Sequence, residues 1–338
     1  EAHDRLARFI GAEGREEVVF TKNTTEAMNT VAQAWGREHL DADSAVVCTE
    51  MDHHASIVPW MQVTDRTGAD LRYIPTEGGH LDLDRAAELI DDDVEIVSVP
   101  HVSNTLGTIN PVAELAELAH DHGALLLADG AQAVPNRPVD VKALDVDFYA
   151  FSGHKMVGPT GIGGLYGRRE ILEEMEPFLY GGDMIERVSF EETTWNELPW
   201  KYEAGTPLIA QGIALAEAAD YLDEIGLDNI DRHEQALVDY AMDRLGEFDD
   251  VEMYGPPAGE ERGGVVAFNV DGIHAHDLSS ICNDFGVAIR AGDHCTQPLH
   301  EEMGIAASAR ASFYLYNTRD EVDRLIEAVE HARELFAV

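Results

Sequence analysis

Hydrophobic and polar positions follow two rhythms over the first half of the chain. Short apolar runs at residues 18–20, 45–48, 70–74, 96–99, 124–128, 148–151 and 164–166 predict strands. Between them, spacings of three and four predict helices, among them residues 26–35, 83–90 and 112–122. Strands alternating with helices in this way predict an α/β fold with a mostly parallel central sheet and helices on both faces. The chain opens inside an amphipathic helical pattern at residues 2–10 without a starting Met, so a stretch of N-terminal sequence is expected to be missing.

A long helical stretch at residues 209–225 leads into a different pattern. Strands near 251–254 and 264–269 and a helix at 275–285 predict a smaller α+β C-terminal domain. The division expected is a large domain over residues 1–222 and a small one over 223–338. Thr318 and Glu321 form a capping-box pattern, and Val322, Leu325, Ile326, Val329 and Leu335 share one face of the helix that follows.

Charge narrows the function classes. With 65 acidic residues against 23 basic ones, the formal net charge is −42. The acids are spread along the chain, so they read as solvated surface, and salt would relieve their mutual repulsion by screening. A halophilic, salt-loaded cytoplasm is the expected setting. Nucleic-acid binding through a broad basic face is strongly disfavoured, and none is expected. No apolar stretch approaches the roughly 18 residues of a membrane span. Cys48, Cys282 and Cys295 have no disulfide or zinc spacing, which suits a reducing compartment, so a cytoplasmic location is expected.

Only Lys22, Lys142, Lys155 and Lys201 of the basic residues are lysines. Lys155 stands in Ser152-Gly153-His154-Lys155, directly after a predicted buried strand and before a glycine-rich turn. Burial favours the neutral amine, and a neutral amine is what forms a Schiff base with a carbonyl cofactor. Asp129 ends another predicted strand, where a carboxylate could hold a cofactor's ring nitrogen protonated; a helix cap or a paired core acid would look the same. Asn23-Thr24-Thr25-Glu26 reads as a helix start whose N–H groups and two hydroxyls could seat a phosphate, or as plain capping. His53-His54 follow the strand at 45–48, and an imidazole there could stack on a flat ring, bind a metal or simply lie at the surface. His101 to Asn104 and Gln132 put further polar groups at strand ends.

Cys295 lies in Arg290-Ala291-Gly292-Asp293-His294-Cys295, which reads as a loop. Its thiolate would be the nucleophile, with His294 or Arg290 lowering its pKa and nearby acids raising it. A metal set of His294, Cys295 and His300 lacks a fourth ligand, so no metal is expected. Cys48 and Cys282 read as small core residues. Arg310 suits bidentate binding of a substrate carboxylate, or a structural ion pair.

Taken together and in this order, these motifs resemble the class V aminotransferase family of PLP enzymes, and within it the SufS-type (group II) cysteine desulfurases. The likeness runs from about residue 5 to the end. It is carried by residues 23–29, 51–60, 101–104, 129–133, 151–155, 203–207 and 290–295. The resemblance implies the PLP-dependent transferase fold type I and a homodimer. It implies that Lys155 carries pyridoxal 5'-phosphate and moves the Cα proton, that Asp129 pairs with the ring nitrogen and that His53 stacks on the ring. Thr24, Thr25, Ser152 and His154 would hold the phosphate, with Thr206 reaching it from the partner subunit, and Gln132 would meet the ring hydroxyl. Asn104, Arg290 and Arg310 would bind substrate, and Cys295 would take the sulfur of L-cysteine as a persulfide, releasing L-alanine. The implied partner is a sulfur-acceptor or iron–sulfur scaffold protein. A selenocysteine lyase acting on L-selenocysteine, and an inactive truncated scaffold homologue, are the alternatives weighed beside it.

Overall fold

The computed structural model describes residues 1–337. A seven-stranded sheet forms its centre. Its strands are β1 (Val18–Thr21), β2 (Ala45–Thr49), β3 (Asp70–Ile74), β4 (Val94–Pro100), β5 (Leu125–Asp129), β6 (Phe148–Ser152) and β7 (Gly163–Gly167). They lie in the order β1-β7-β6-β5-β4-β2-β3. The pairs β3–β2, β2–β4, β4–β5 and β5–β6 are parallel, while β7 runs antiparallel between β6 and β1.

Side chains alternate across a strand, so a sheet covered on both faces reads as an unbroken apolar run. Ala45 and Val47 enter one core and Val46 and Cys48 the other; Leu126 and Ala128 are likewise divided from Leu127, and Tyr149 and Phe151 from Phe148 and Ala150. The two helices that matter most for the site are α1 (Thr24–Thr30), which continues as a wider π-helical turn over Val31–Gly36, and α2 (His54–Thr67). The expected single helix over 26–35 is thus two kinds of turn.

A hairpin of β8 (Ile185–Val188) and β9 (Thr193–Trp195) stands out from this body, then α3 (Ile209–Ile225) and α4 (Leu227–Leu245) meet at Gly226, whose φ is +87°. A second, four-stranded antiparallel sheet follows in the order β10-β11-β13-β12. Its strands are β10 (Val251–Tyr254), β11 (Val265–Val270), β12 (Arg290–Gly292) and β13 (Ser308–Ser312). It shares a core with α4, α5 (Ala275–Asp284) and α6 (Arg319–Phe336). The capping box of Thr318 and Glu321 is present. Val322, Leu325, Ile326 and Val329 are buried, but Leu335 is exposed, because α6 runs past the end of the core it covers.

One buried arginine joins the two sheets' surroundings. Arg262 is 1% exposed and has no ion pair among the described residues. Its Nη1 donates to the carbonyl of Pro256 at 3.0 Å, and its Nη2 to those of Tyr254 at 3.0 Å and of Leu106. Burial lowers its pKa to about 10. Leu106 belongs to the loop after β4, so three carbonyl dipoles from two regions solvate one guanidinium.

Candidate functional site

The carboxyl ends of the parallel strands converge, which is where such sheets place ligands. Asp129 is the last residue of β5 and Ser152 the last of β6; the turn Gly153–Lys155 follows directly. Gly130 must lack a side chain, because a Cβ there would lie 2.0 Å from the Tyr149 ring. The chain therefore turns tightly behind Asp129, whose Oδ1 accepts from Ala131 N–H at 2.9 Å and whose Oδ2 accepts from Ser56 Oγ at 3.3 Å. Asp129 is buried and forms no salt bridge among the described residues, so the plain paired-acid alternative does not apply.

Lys155 faces a cavity of about 380 Å³ that Gln132, His154, Arg310 and Tyr314 also line. Burial lowers the pKa of its amine, Asp129 and Cys295 oppose that shift, and Arg310 adds to it. His53 caps α2: its Nδ1 accepts from Ala55 N–H at 3.0 Å, which fixes the ring and leaves the proton on Nε2. Burial lowers the His53 pKa, against the pull of Asp129, with Lys155 and Arg310 adding to the fall. Thr24 Oγ1 and Ser152 Oγ lie 2.7 Å apart, and Ser152 Oγ also accepts from Thr24 N–H at 2.9 Å. Thr25 is exposed at the start of α1, beside that pair in sequence. Thr206 is exposed and lines a different cavity, with Lys22 and Pro207, so one chain does not bring it to Lys155.

The second half of the site comes from the C-terminal sheet. Arg290 and Arg310 sit opposite each other on β12 and β13. Neither forms a salt bridge among the described residues, which removes the structural ion pair as an account of Arg310. Arg310 Nη1 donates to the carbonyl of Asn104 at 2.6 Å and its Nε to Ser312 Oγ at 3.2 Å. Burial, then the charge of Arg290, lowers its pKa to about 10. Asn104 also reaches the cysteine loop, its Nδ2 donating to the His294 carbonyl at 2.8 Å.

Cys295 is exposed, whereas Cys48 and Cys282 are buried. Burial pushes the Cys48 thiol well up and that of Cys282 to about 11, so neither supplies a thiolate near neutrality. His294 does not assist Cys295 by charge, contrary to the sequence expectation. It is buried against Ser308 Oγ, 3.0 Å from its Nε2, and burial lowers its pKa to about 4. His300 Nε2 lies 3.0 Å from the same hydroxyl, so Ser308 gathers the two histidines of the supposed metal set. Asp293 acts through its carboxylate geometry: Oδ1 accepts from Cys295 N–H at 3.0 Å. Sequence reasoning missed Ser308 and Ser56, whose partners are remote in the chain, and assigned no work to His54.

The class-V aminotransferase family model matches residues 1–325. A probable cysteine desulfurase of Halobacterium salinarum is 68% identical over 338 residues, covering 100% of this chain and 81% of that protein. A cysteine desulfurase of Haloferax volcanii is 64% identical, covering 100% of this chain and 79% of that protein. Among solved structures, the cysteine desulfurase CsdA of Escherichia coli superposes with a TM-score of 0.95 at 38% identity, covering 99% of this chain and 83% of that one. The chain belongs to the class-V aminotransferase family.

Proposed function

We propose that this class-V family member is a pyridoxal 5'-phosphate-dependent cysteine desulfurase that moves the sulfur of L-cysteine onto Cys295 and releases L-alanine. One observation carries the reading: Arg310, which lines the cavity of Lys155, donates to the Asn104 carbonyl, and Asn104 donates to the carbonyl of His294 beside the exposed Cys295, so the amine and the thiol border one site.

The residues fit the cofactor. A cavity of about 380 Å³ suits a small aromatic phosphate; Lys155, whose pKa is lowered by desolvation, lines it, and the buried Asp129 carboxylate forms no salt bridge among the described residues. When bound, the cofactor supplies an electron sink for bond changes in the substrate. Lys155 would hold it covalently and move the proton at the substrate's Cα. Asp129 would keep its ring nitrogen protonated, with His53 and Gln132 as further ring partners. Thr24, Thr25, Ser152 and His154 would hold its phosphate, joined by Thr206 of a second copy.

Arg310, with Asn104 and Arg290, orients the substrate carboxylate. The Cys295 thiol gives up its proton, and its sulfur attacks the substrate's Sγ. The S–S bond forms as the Cβ–S bond breaks, and Cβ takes up a proton. The balance is L-cysteine plus a protein thiol to L-alanine plus a protein persulfide.

Finer points belong to the same reading. Tyr180, Val188, Phe190, Ile209 and Ile213 are large apolar side chains left exposed, of the kind that dimers cover, which supports a homodimer. The separate core of the C-terminal sheet and the break at Gly226 support two domains, taken at residues 1–222 and 223–338. The SufS-type motifs support sulfur delivery to an acceptor or iron–sulfur scaffold protein in the cytoplasm. The charge of −42 supports work at high salt, where the Debye length falls to about 3 Å at 1 M.

The test is alanine and sulfide release from L-cysteine with PLP and a reductant, at molar KCl. Alanine from the wild type and none from Cys295→Ala is the expected result. Alanine from both proteins at equal rates would overturn the role of Cys295, and release from L-selenocysteine alone would reassign the substrate.

A further inference from the structure

We propose that His54 is the positioning residue of the sulfur-accepting loop, and that it couples the placement of Cys295 to the helical turn that faces the cofactor. The inference rests on Cys295 being the sulfur acceptor, as proposed above.

The loop needs outside support. His294 and Cys295 have φ values of 51° and 61°, a left-handed backbone that residues with a Cβ disfavour. Two such residues in succession persist only where surrounding contacts over-determine them. Asp293 and Asn104 supply part of that support. The rest comes from His54. Its backbone N–H donates to the Cys295 carbonyl at 2.8 Å, and its ring Nε2 accepts from Gln297 N–H at 3.0 Å. One residue thus holds the loop at the backbone of the thiol-bearing residue and two residues beyond it.

The placement follows from helix geometry. His54 is the first residue of α2, so its N–H has no partner inside the helix and is free for a neighbour. Nε2 accepts a hydrogen bond, so the ring is neutral with its proton on Nδ1. The residue before it, His53, is locked by its own bond to Ala55 N–H, and Ser56 in the same turn donates to Asp129. Consecutive residues of one turn therefore address the cofactor side and the cysteine side. A shift of this turn moves both, and misplacing a reacting group by an ångström is enough to slow a reaction about 10²-fold.

Three variants separate positioning from mere structure. His54→Phe keeps a ring and loses the acceptor, His54→Asn keeps an acceptor that falls short of Gln297, and His54→Gln offers a carbonyl of similar reach. The readouts, on the PLP-loaded protein, are kcat and KM for alanine release and the cofactor's absorbance. Alkylation of Cys295 by iodoacetamide is followed in parallel by mass spectrometry, where the buried Cys48 and Cys282 do not compete. We expect Phe and Asn to lower kcat and raise the alkylation rate, each about tenfold for one lost hydrogen bond, with KM and absorbance held within about twofold. Gln restores both rates to within about threefold. Unchanged kcat and alkylation in the Asn variant, or a Gln variant no better than Asn, would overturn the proposal. Wild-type alanine release by Cys295→Ser would instead overturn the reading beneath it, whatever His54 does.

Discussion

In the proposed reaction Lys155 and Cys295 work on the same small substrate from opposite kinds of structure. Lys155 follows a strand whose five residues are all buried, and its turn packs so closely that a Cβ on Gly153 would meet the Ile162 carbonyl at 2.9 Å. Cys295 follows an edge strand of three residues and projects from a loop with two left-handed residues. The amine gains its reactivity from burial, which favours the uncharged form. In that reading the thiol reaches a substrate and then hands on the sulfur, which its exposure allows. Its position is fixed by hydrogen bonds from other segments, where the lysine's is fixed by packing.

Replacing each group breaks the comparison most directly. Lys155→Ala should lower alanine release about 10³-fold and abolish the absorbance of bound cofactor. Cys295→Ser should also stop sulfur transfer, yet leave that absorbance intact. A Cys295→Ser protein unable to bind the cofactor would show that the two halves are not separable.

The pH dependence of cofactor uptake sharpens it. Burial lowers the Lys155 pKa from its usual 10.5, so more of the amine is neutral at pH 8 than in a free lysine. The rate of PLP capture by stripped protein should rise with pH and level off below 10.5. A rate still climbing through 10.5 would mean that burial does not tune this amine.

The smallest effect concerns Asp293. If it serves as an acceptor for the Cys295 N–H, Asp293→Asn keeps the bond and should change kcat less than about threefold, while Asp293→Ala loses it and should cost about tenfold. A large gain in the Asn variant would instead make the negative charge the thing that matters.

The large sheet was legible because its chemistry is local. Runs such as residues 45–48 and 124–128 carry their own signal, and so do Lys155 and Asp129 at strand ends. The second half of the site was less so. β13 reads Ser-Ala-Arg-Ala-Ser, which lacks an apolar run, and β8 and β9 are largely exposed, so none of the three was predicted as a strand. His294 reads as a possible cation beside Cys295 until Ser308 is seen to bury it, and that partner is 14 residues away. His54 carries no local sign of its bond to Gln297, which lies 243 residues on. Long-range polar pairs have no periodicity, so sequence reasoning finds the residues and not their partners.

Arg262 has a thermodynamic consequence. Because neutral groups alone (three carbonyls and the Met242 thioether) meet it among the described residues, no counter-ion travels with it if the regions around the two sheets separate. Parting them with each still folded would break the hydrogen bond from Arg262 to the Leu106 carbonyl that spans them. The half-open state is therefore disfavoured relative to the native one. Heat should melt the two cores in one cooperative transition, with calorimetric and van't Hoff enthalpies in agreement.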